Sequence, residues 1–128
     1  MKKVLVIEDN ENNLKVITVL LKNSGYSILS AKTGRKGVEM ALKDNPDFIL
    51  LDIDLPDIDG RAVLKKIRKS EKAGDLPVIA VTSLAMSGDR QEMLDAGCTG
   101  YIEKPIDPFR FIDQMEKILG DADENPDR

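Results

Sequence analysis

The sequence predicts an α/β fold, a parallel sheet of five strands with helices on both faces. Three observations predict it. The runs Val4–Ile7, Phe48–Leu51 and Val78–Val81 are continuously apolar, the pattern of strands buried on both sides. Between them lie longer segments whose apolar residues fall three and four apart, the period of a helix covering a core. The chain has 128 residues, 41% hydrophobic and 33% charged, which suits one domain and leaves no room for a second of similar size.

Each element has its own signal. Val4–Ile7 is the first strand. Leu14, Ile17, Leu20 and Leu21 make one helical face, and Gly25 follows where a left-handed terminal residue is expected. Asn10, Asn12 and Asn13 are placed to cap that helix or shape its entry. Tyr26–Ala31 is a weaker strand, and Val38, Ala41 and Leu42 mark a short helix. Phe48–Leu51 is followed by a helix carrying Val63, Leu64 and Ile67. Val78–Val81 precedes Gly88–Ala96, the least marked of the helices. Gly100–Glu103 is the fifth strand. Asp107-Pro108 then opens the last helix as N-cap and first-turn proline, with Phe111, Ile112, Met115, Ile118 and Leu119 on its inner face. Met40, Met93 and Met115 fall at core positions, and Cys98 reads as a small buried residue rather than a reactive thiol. The folded domain is expected over residues 2–119, and Gly120–Arg128 as a disordered acidic tail.

Composition removes whole classes of function. The formal charge is −4, and the tail alone carries −3 of it, so the body is nearly neutral. No basic stripe suits a nucleic-acid backbone. No apolar run approaches the ~18 residues of a membrane span, and the start lacks a secretory signal, so a cytoplasmic protein is expected. With no histidine and one cysteine, thiolate–imidazole zinc sites and histidine base catalysis are excluded. Carboxylates, hydroxyls and lysine are left.

Those groups fall where the strands end. The first strand runs into Glu8-Asp9, the third into Asp52, the fourth into Thr82 and the fifth into Lys104-Pro105. In a parallel sheet these termini share one edge, where ligands bind in the crevice at which strand order reverses. Taken singly, each is an ordinary loop residue after a buried strand. Taken together, three carboxylates with no nitrogen or sulfur ligand favour Mg²⁺. A phosphoryl group beside that ion would meet Lys104 and Thr82, and Asp52 is placed as the nucleophile for an aspartyl-phosphate.

The chain resembles the receiver domains of two-component response regulators. The resemblance rests on Glu8-Asp9, the strand Phe48–Leu51 with Asp52, Leu55-Pro56-Asp57-Ile58-Asp59-Gly60, Thr82 after Ala80-Val81, and Lys104-Pro105. The separations of 44, 30 and 22 residues from Glu8 to Asp52 to Thr82 to Lys104 are also similar. It implies a flavodoxin-like (βα)5 sandwich with sheet order 2-1-3-4-5. Asp52 would accept a phosphoryl group from a phosphohistidine of a sensor histidine kinase or histidine phosphotransfer protein. Mg²⁺ would be held by Asp9, Glu8, Asp52 and the backbone carbonyl of Asp54. Thr82 and Lys104 would bind the phosphoryl oxygens, Lys104-Pro105 would be a cis peptide, and Thr82 with Tyr101 would form the switch. The segment Leu84–Asp89 resembles stand-alone DivK-type regulators and receivers of hybrid kinases. Asp54 and Leu84 occupy positions that vary in the family and border the attacking water's path.

The expected function is therefore a phosphorylation-switched module of a phosphorelay, not an enzyme with turnover. With no output domain expected after Leu119, the readout falls to a protein partner on the face formed by Met86–Gly97, Tyr101 and the helix from Pro108. A haloacid dehalogenase-type phosphatase is the enzymatic alternative, because Asp52-Ile53-Asp54 mimics its Asp-x-Asp pair. Against it, Glu8-Asp9 lies upstream rather than downstream, and Pro56 stands where Thr or Val is expected. A flavodoxin-like nucleotide binder would need a phosphate loop where Glu8-Asp9-Asn10-Glu11 would repel phosphate.

Overall fold

Alternation inside each apolar run sets the architecture. A computed structural model describes residues 2–55, 57–83 and 87–123. The chain runs β1 (Lys3–Ile7), α1 (Glu11–Asn23), β2 (Ser27–Ala31), α2 (Gly34–Lys43), β3 (Phe48–Asp52), α3 (Gly60–Lys69), β4 (Val78–Thr82), α4 (Ser87–Asp95), β5 (Gly100–Glu103) and α5 (Phe111–Asp123). All strand pairings are parallel, in the order β2-β1-β3-β4-β5. Successive side chains of a strand face opposite ways. Leu5, Ile7, Ile49, Leu51, Val78 and Ala80 accordingly enter one core, with Ala41, Val63, Leu64, Ile67 and Met93 from α2, α3 and α4. Val4, Val6, Phe48, Leu50, Ile79 and Val81 enter the other, with Ile17, Leu21, Phe111, Met115 and Leu119 from α1 and α5. The result is a flavodoxin-like sandwich of three layers with the predicted strand order.

Local chemistry fixes the element ends. Asn10 caps α1, its Oδ1 accepting the Asn13 N–H at 2.9 Å. Gly25 takes φ +88°, which lets Tyr26 N–H reach Leu21 O and Gly25 N–H reach Lys22 O, each at 3.1 Å. Gly97, at φ +111°, ends α4 the same way. From α3, Arg68 donates to Gly97 O at 3.0 and 2.8 Å, to Gly74 O at 2.9 Å and to Leu76 O at 2.6 Å, tying the α3–β4 and α4–β5 connections together. Asp107 starts a helical turn before α5, with its Oδ1 accepting Phe109 N–H and its carbonyl accepting Phe111 N–H, both at 2.9 Å.

One boundary moves. α5 continues to Asp123, so Gly120–Asp123 is helical rather than part of a disordered tail. A helix already nucleated gains one hydrogen bond per residue added, and no proline intervenes before Pro126. Residues 124–128 of the expected tail, and Leu84–Met86 of the expected switch surface, lie outside the described residues.

Two helical glycines give a test of this packing. A Cβ at Gly37 of α2 would stand 2.5 Å from Ile7 Cδ1 and 2.7 Å from its Cγ1, whereas one at Gly120 of α5 would meet nothing within 4 Å. Alanine favours a helix over glycine by about 1 kcal/mol, and overpacking a core costs about 1–3 kcal/mol. Gly120→Ala should raise the urea midpoint and Gly37→Ala should lower it. A shift of the same sign in both would refute the close approach of α2 to β1.

Candidate functional site

Three polar or charged residues are buried among the described residues: Glu8, Asp52 and Thr82, at 1%, 3% and 0% exposure. All three sit at the C-terminal ends of neighbouring strands. Glu8 directly follows β1, its N–H bonded to Ala31 O of β2 at 2.9 Å. Asp52 closes β3, opposite Val81, and Thr82 closes β4, opposite Glu103. Lys104 follows β5, and its N–H bonds Thr82 O at 2.9 Å. The chain crosses from the β2 side to the β3 side at β1, so Glu8, Asp9 and Asp52 lie at the point where strand order reverses.

The charges converge. Lys104 Nζ lies 3.2 Å from Glu8 Oε1 and 3.2 Å from Asp52 Oδ1. Asp52 Oδ1 also accepts the Asp54 N–H at 3.0 Å. Carboxylate oxygens of Glu8, Asp9 and Asp52 lie within 4.8 Å of one another. Burial, then the hydrogen bond and charge of Asp52, push the Glu8 carboxyl from 4.5 up to about 7. Burial alone would raise Asp52 too, but hydrogen bonds from Glu8 and the Asp54 amide, with Lys104, hold it below its ordinary value. Burial would likewise depress the Lys104 ammonium, yet the two carboxylates outweigh it and hold it above its ordinary value. Within the pair, burial thus favours a proton on Glu8 over one on Asp52.

The donor set fits a hard cation. Glu8 Oε1 is buried and, despite its 3.2 Å approach to Lys104, makes no hydrogen bond of good geometry. An oxygen-only group of three carboxylates with one unsatisfied buried oxygen suits Mg²⁺.

The loop after β3 shows why its glycine is there. Gly60 N–H bonds Ile53 O at 3.0 Å, and a Cβ on Gly60 would stand 2.6 Å from Ile53 Cα. Gly60 thus lets α3 start against the backbone of the Asp52 loop, a role that the Asp59-Gly60 dipeptide alone does not reveal. The Lys104–Pro105 peptide is cis. Tyr101 is half-buried opposite Ala80 and packs against the core under α2, α3 and α4. Cys98 is buried, and burial pushes its thiol up to about 11, which makes it inert. Among the described residues no helix is long and apolar enough to cross a membrane.

Comparison with known proteins agrees with this geometry. The model of the response regulator receiver domain matches residues 4–116. The polar-differentiation response regulator DivK of Brucella ovis is 41% identical over 121 residues, covering 94% of this chain and 98% of that protein. The chemotaxis response regulator CheY4 of Vibrio cholerae superposes with a TM-score of 0.89 at 26% identity, over 93% of this chain and 99% of the other. The receiver domain of the sensor histidine kinase PA1611 of Pseudomonas aeruginosa, solved with a magnesium ion coordinated in its active site cleft, gives 0.84 at 33% identity, over 93% and 98%. A family match across most of the chain, a DivK relative at this identity and an acidic strand-end cluster lead to one conclusion: this chain belongs to the response regulator receiver domain family of two-component signalling.

Proposed function

We propose that Asp52 is the phosphoacceptor of this receiver domain. The observation that carries the reading is its position at the end of the central strand, 3% exposed, with Lys104 Nζ 3.2 Å from Oδ1 and Glu8 beside it. Its carboxylate would take the phosphoryl group from a phosphohistidine of a sensor histidine kinase or histidine phosphotransfer protein in the cytoplasm, releasing the imidazole. Glu8, Asp9, Asp52 and the Asp54 carbonyl would hold Mg²⁺. When bound, that ion neutralises carboxylate charge that otherwise repels an incoming phosphate. Lys104 and Thr82 would receive the phosphoryl oxygens. The chemistry is self-catalysed transfer to and from Asp52, without turnover of an external substrate. An apolar cleft lined by Val16, Val19, Leu20 and Pro108, with Phe109 93% exposed nearby in sequence, supports docking of a protein partner on α1 and the connection before α5.

The switch follows from the same site. A phosphoryl oxygen offers an acceptor to the Thr82 hydroxyl, and Tyr101 lies one strand over on the same face of the sheet. Drawing Thr82 inward would let the Tyr101 ring follow and reshape the surface of α4, β5 and α5 for a downstream protein.

Three outcomes test these assignments. With Mg²⁺ and acetyl phosphate, intact mass should rise by one phosphoryl group in the parent protein and not in Asp52→Ala. Equal labelling of the variant would remove Asp52 from the role. Thr82→Ala should still be phosphorylated, but beryllofluoride should no longer shift amide resonances in α4, β5 and α5. Parent-like shifts there would exclude Thr82 as the relay.

The third outcome is a pH dependence in metal-free protein. Because Glu8 is raised from 4.5 to about 7, the folded chain binds more protons than the unfolded one across that window. Stability should therefore fall as pH rises through it. The lowered Asp52 acts below this window and the raised Lys104 above it. Unfolding midpoints in chelator should decline from pH 4.5 to 7, and Glu8→Gln should flatten the decline. Mg²⁺ added at neutral pH should restore stability to the parent by binding only the folded state. An unchanged slope in the Gln variant would assign the proton elsewhere.

A further inference from the structure

The loop between β3 and α3 is held at its tip by a second helix. Asp57 Oδ1 accepts the Gly34 N–H at 2.7 Å, and Oδ2 accepts the Arg35 N–H at 3.0 Å. Gly34 and Arg35 open α2, where amide groups have no partner within their own helix. Both oxygens of one carboxylate are thus committed to an element more than twenty residues upstream. The Asp57 side chain is 22% exposed although it sits on a surface loop. The seat needs Gly34, because a Cβ there would stand 2.5 Å from Ile58 Cγ1.

α2 does not need this contact to start. Thr33 already caps it, with Oγ1 accepting the Lys36 N–H at 3.2 Å. What Asp57 adds is a tie between α2 and the loop that carries Asp54, whose N–H bonds Asp52 Oδ1. A further closure of the loop among the described residues is the Gly60 to Ile53 hydrogen bond.

We propose that Asp57 is a positioning residue for phosphorylation. It latches the β3–α3 loop to the first turn of α2, and so holds Asp54 and the Asp52 carboxylate in the geometry that reacts. The proposal rests on the reading of Asp52 as phosphoacceptor. Reacting groups misplaced by ~1 Å can cost ~10²-fold in rate, so a loosened loop should be visible in kinetics.

The test compares Asp57→Ala, Asp57→Asn and Thr33→Ala with the parent and with Asp52→Ala. Phosphoryl incorporation from acetyl phosphate with Mg²⁺ is followed by intact mass, and amide exchange over 53–60 is measured in metal-free protein. Asp57→Ala and Thr33→Ala each remove hydrogen bonding from the first turn of α2, so both should lower the unfolding midpoint. Only Asp57→Ala should speed exchange over 53–60 and slow phosphorylation, by about three- to tenfold. Asp57→Asn keeps one acceptor and should fall between. Should the Ala variant fail to fold, the Asn variant against Thr33→Ala decides the same question. Phosphorylation of Asp57→Ala at the parent rate, or equal slowing by Thr33→Ala, overturns the latch. A parent that gains no more phosphoryl than Asp52→Ala overturns the phosphoacceptor reading, and the latch with it.

Discussion

Glu8 and Asp52 are buried as deeply as the valines beside them, and among the described residues the ammonium of Lys104 is the cation that touches both. Taking an ion out of water costs several kcal/mol unless a partner compensates. Here one positive charge faces two carboxylates, with a third from Asp9 close by. A proton on Glu8 or a bound cation would offset the remaining imbalance. Everything the site can do with a phosphate follows from that imbalance. Without a cation, an incoming phosphoryl group meets net negative charge; with one, it meets a cluster whose charge is neutralised.

Such a cluster survives only on a scaffold that does not yield. β3 lies between β1 and β4, and the strands on either side carry Glu8 and Thr82 at the same edge. Helices cover both faces, so a shift of Asp52 would have to disturb two packed cores at once. Lys104 is set by the sheet as well, since its N–H continues the β4–β5 ladder onto Thr82 O. Side chains placed from strand ends are more precise than side chains carried by loops alone. The β3–α3 loop has its own ties, from Gly60 to Ile53 and from Asp57 to α2.

How much of this was legible in the chain depended on the range of the interaction. Strands buried on both faces announce themselves as unbroken apolar runs, and the residues ending those runs are the ones gathered at one sheet edge, so both placements were readable from local order. Gly25 was readable because its role at a helix end is settled within a few residues, and Asp107 was readable as the start of the turn that leads into α5, though not as the cap of the helix itself. The end of α5 was not. Gly120 and the acids after it argue locally against a helix, while the turn already formed argues for one, and the formed turn wins to Asp123. The Asp57 contact was not legible either, because nothing near Asp57 indicates that its partners are the amides of Gly34 and Arg35. The need for glycine at position 60 also lies in space, in the Ile53 backbone that a Cβ would strike.

Strand parity separates the residues at this edge into two sets. Asp52 shares the parity of Phe48 and Leu50, and Glu8 that of Val4 and Val6, so both belong to the face covered by α1 and α5. Lys104 continues the parity of Ile102 onto that same face, which is how it reaches both carboxylates. Thr82 has the parity of Val78 and Ala80, and Tyr101 lies opposite Ala80, so these two belong to the face of α2, α3 and α4. The charged cluster and the Thr82–Tyr101 pair thus occupy opposite faces of one sheet and meet only at its C-terminal edge. On the switch proposed above, a phosphoryl group on Asp52 would change packing on the other side through the Thr82 hydroxyl and the Tyr101 ring rather than through movement of the sheet.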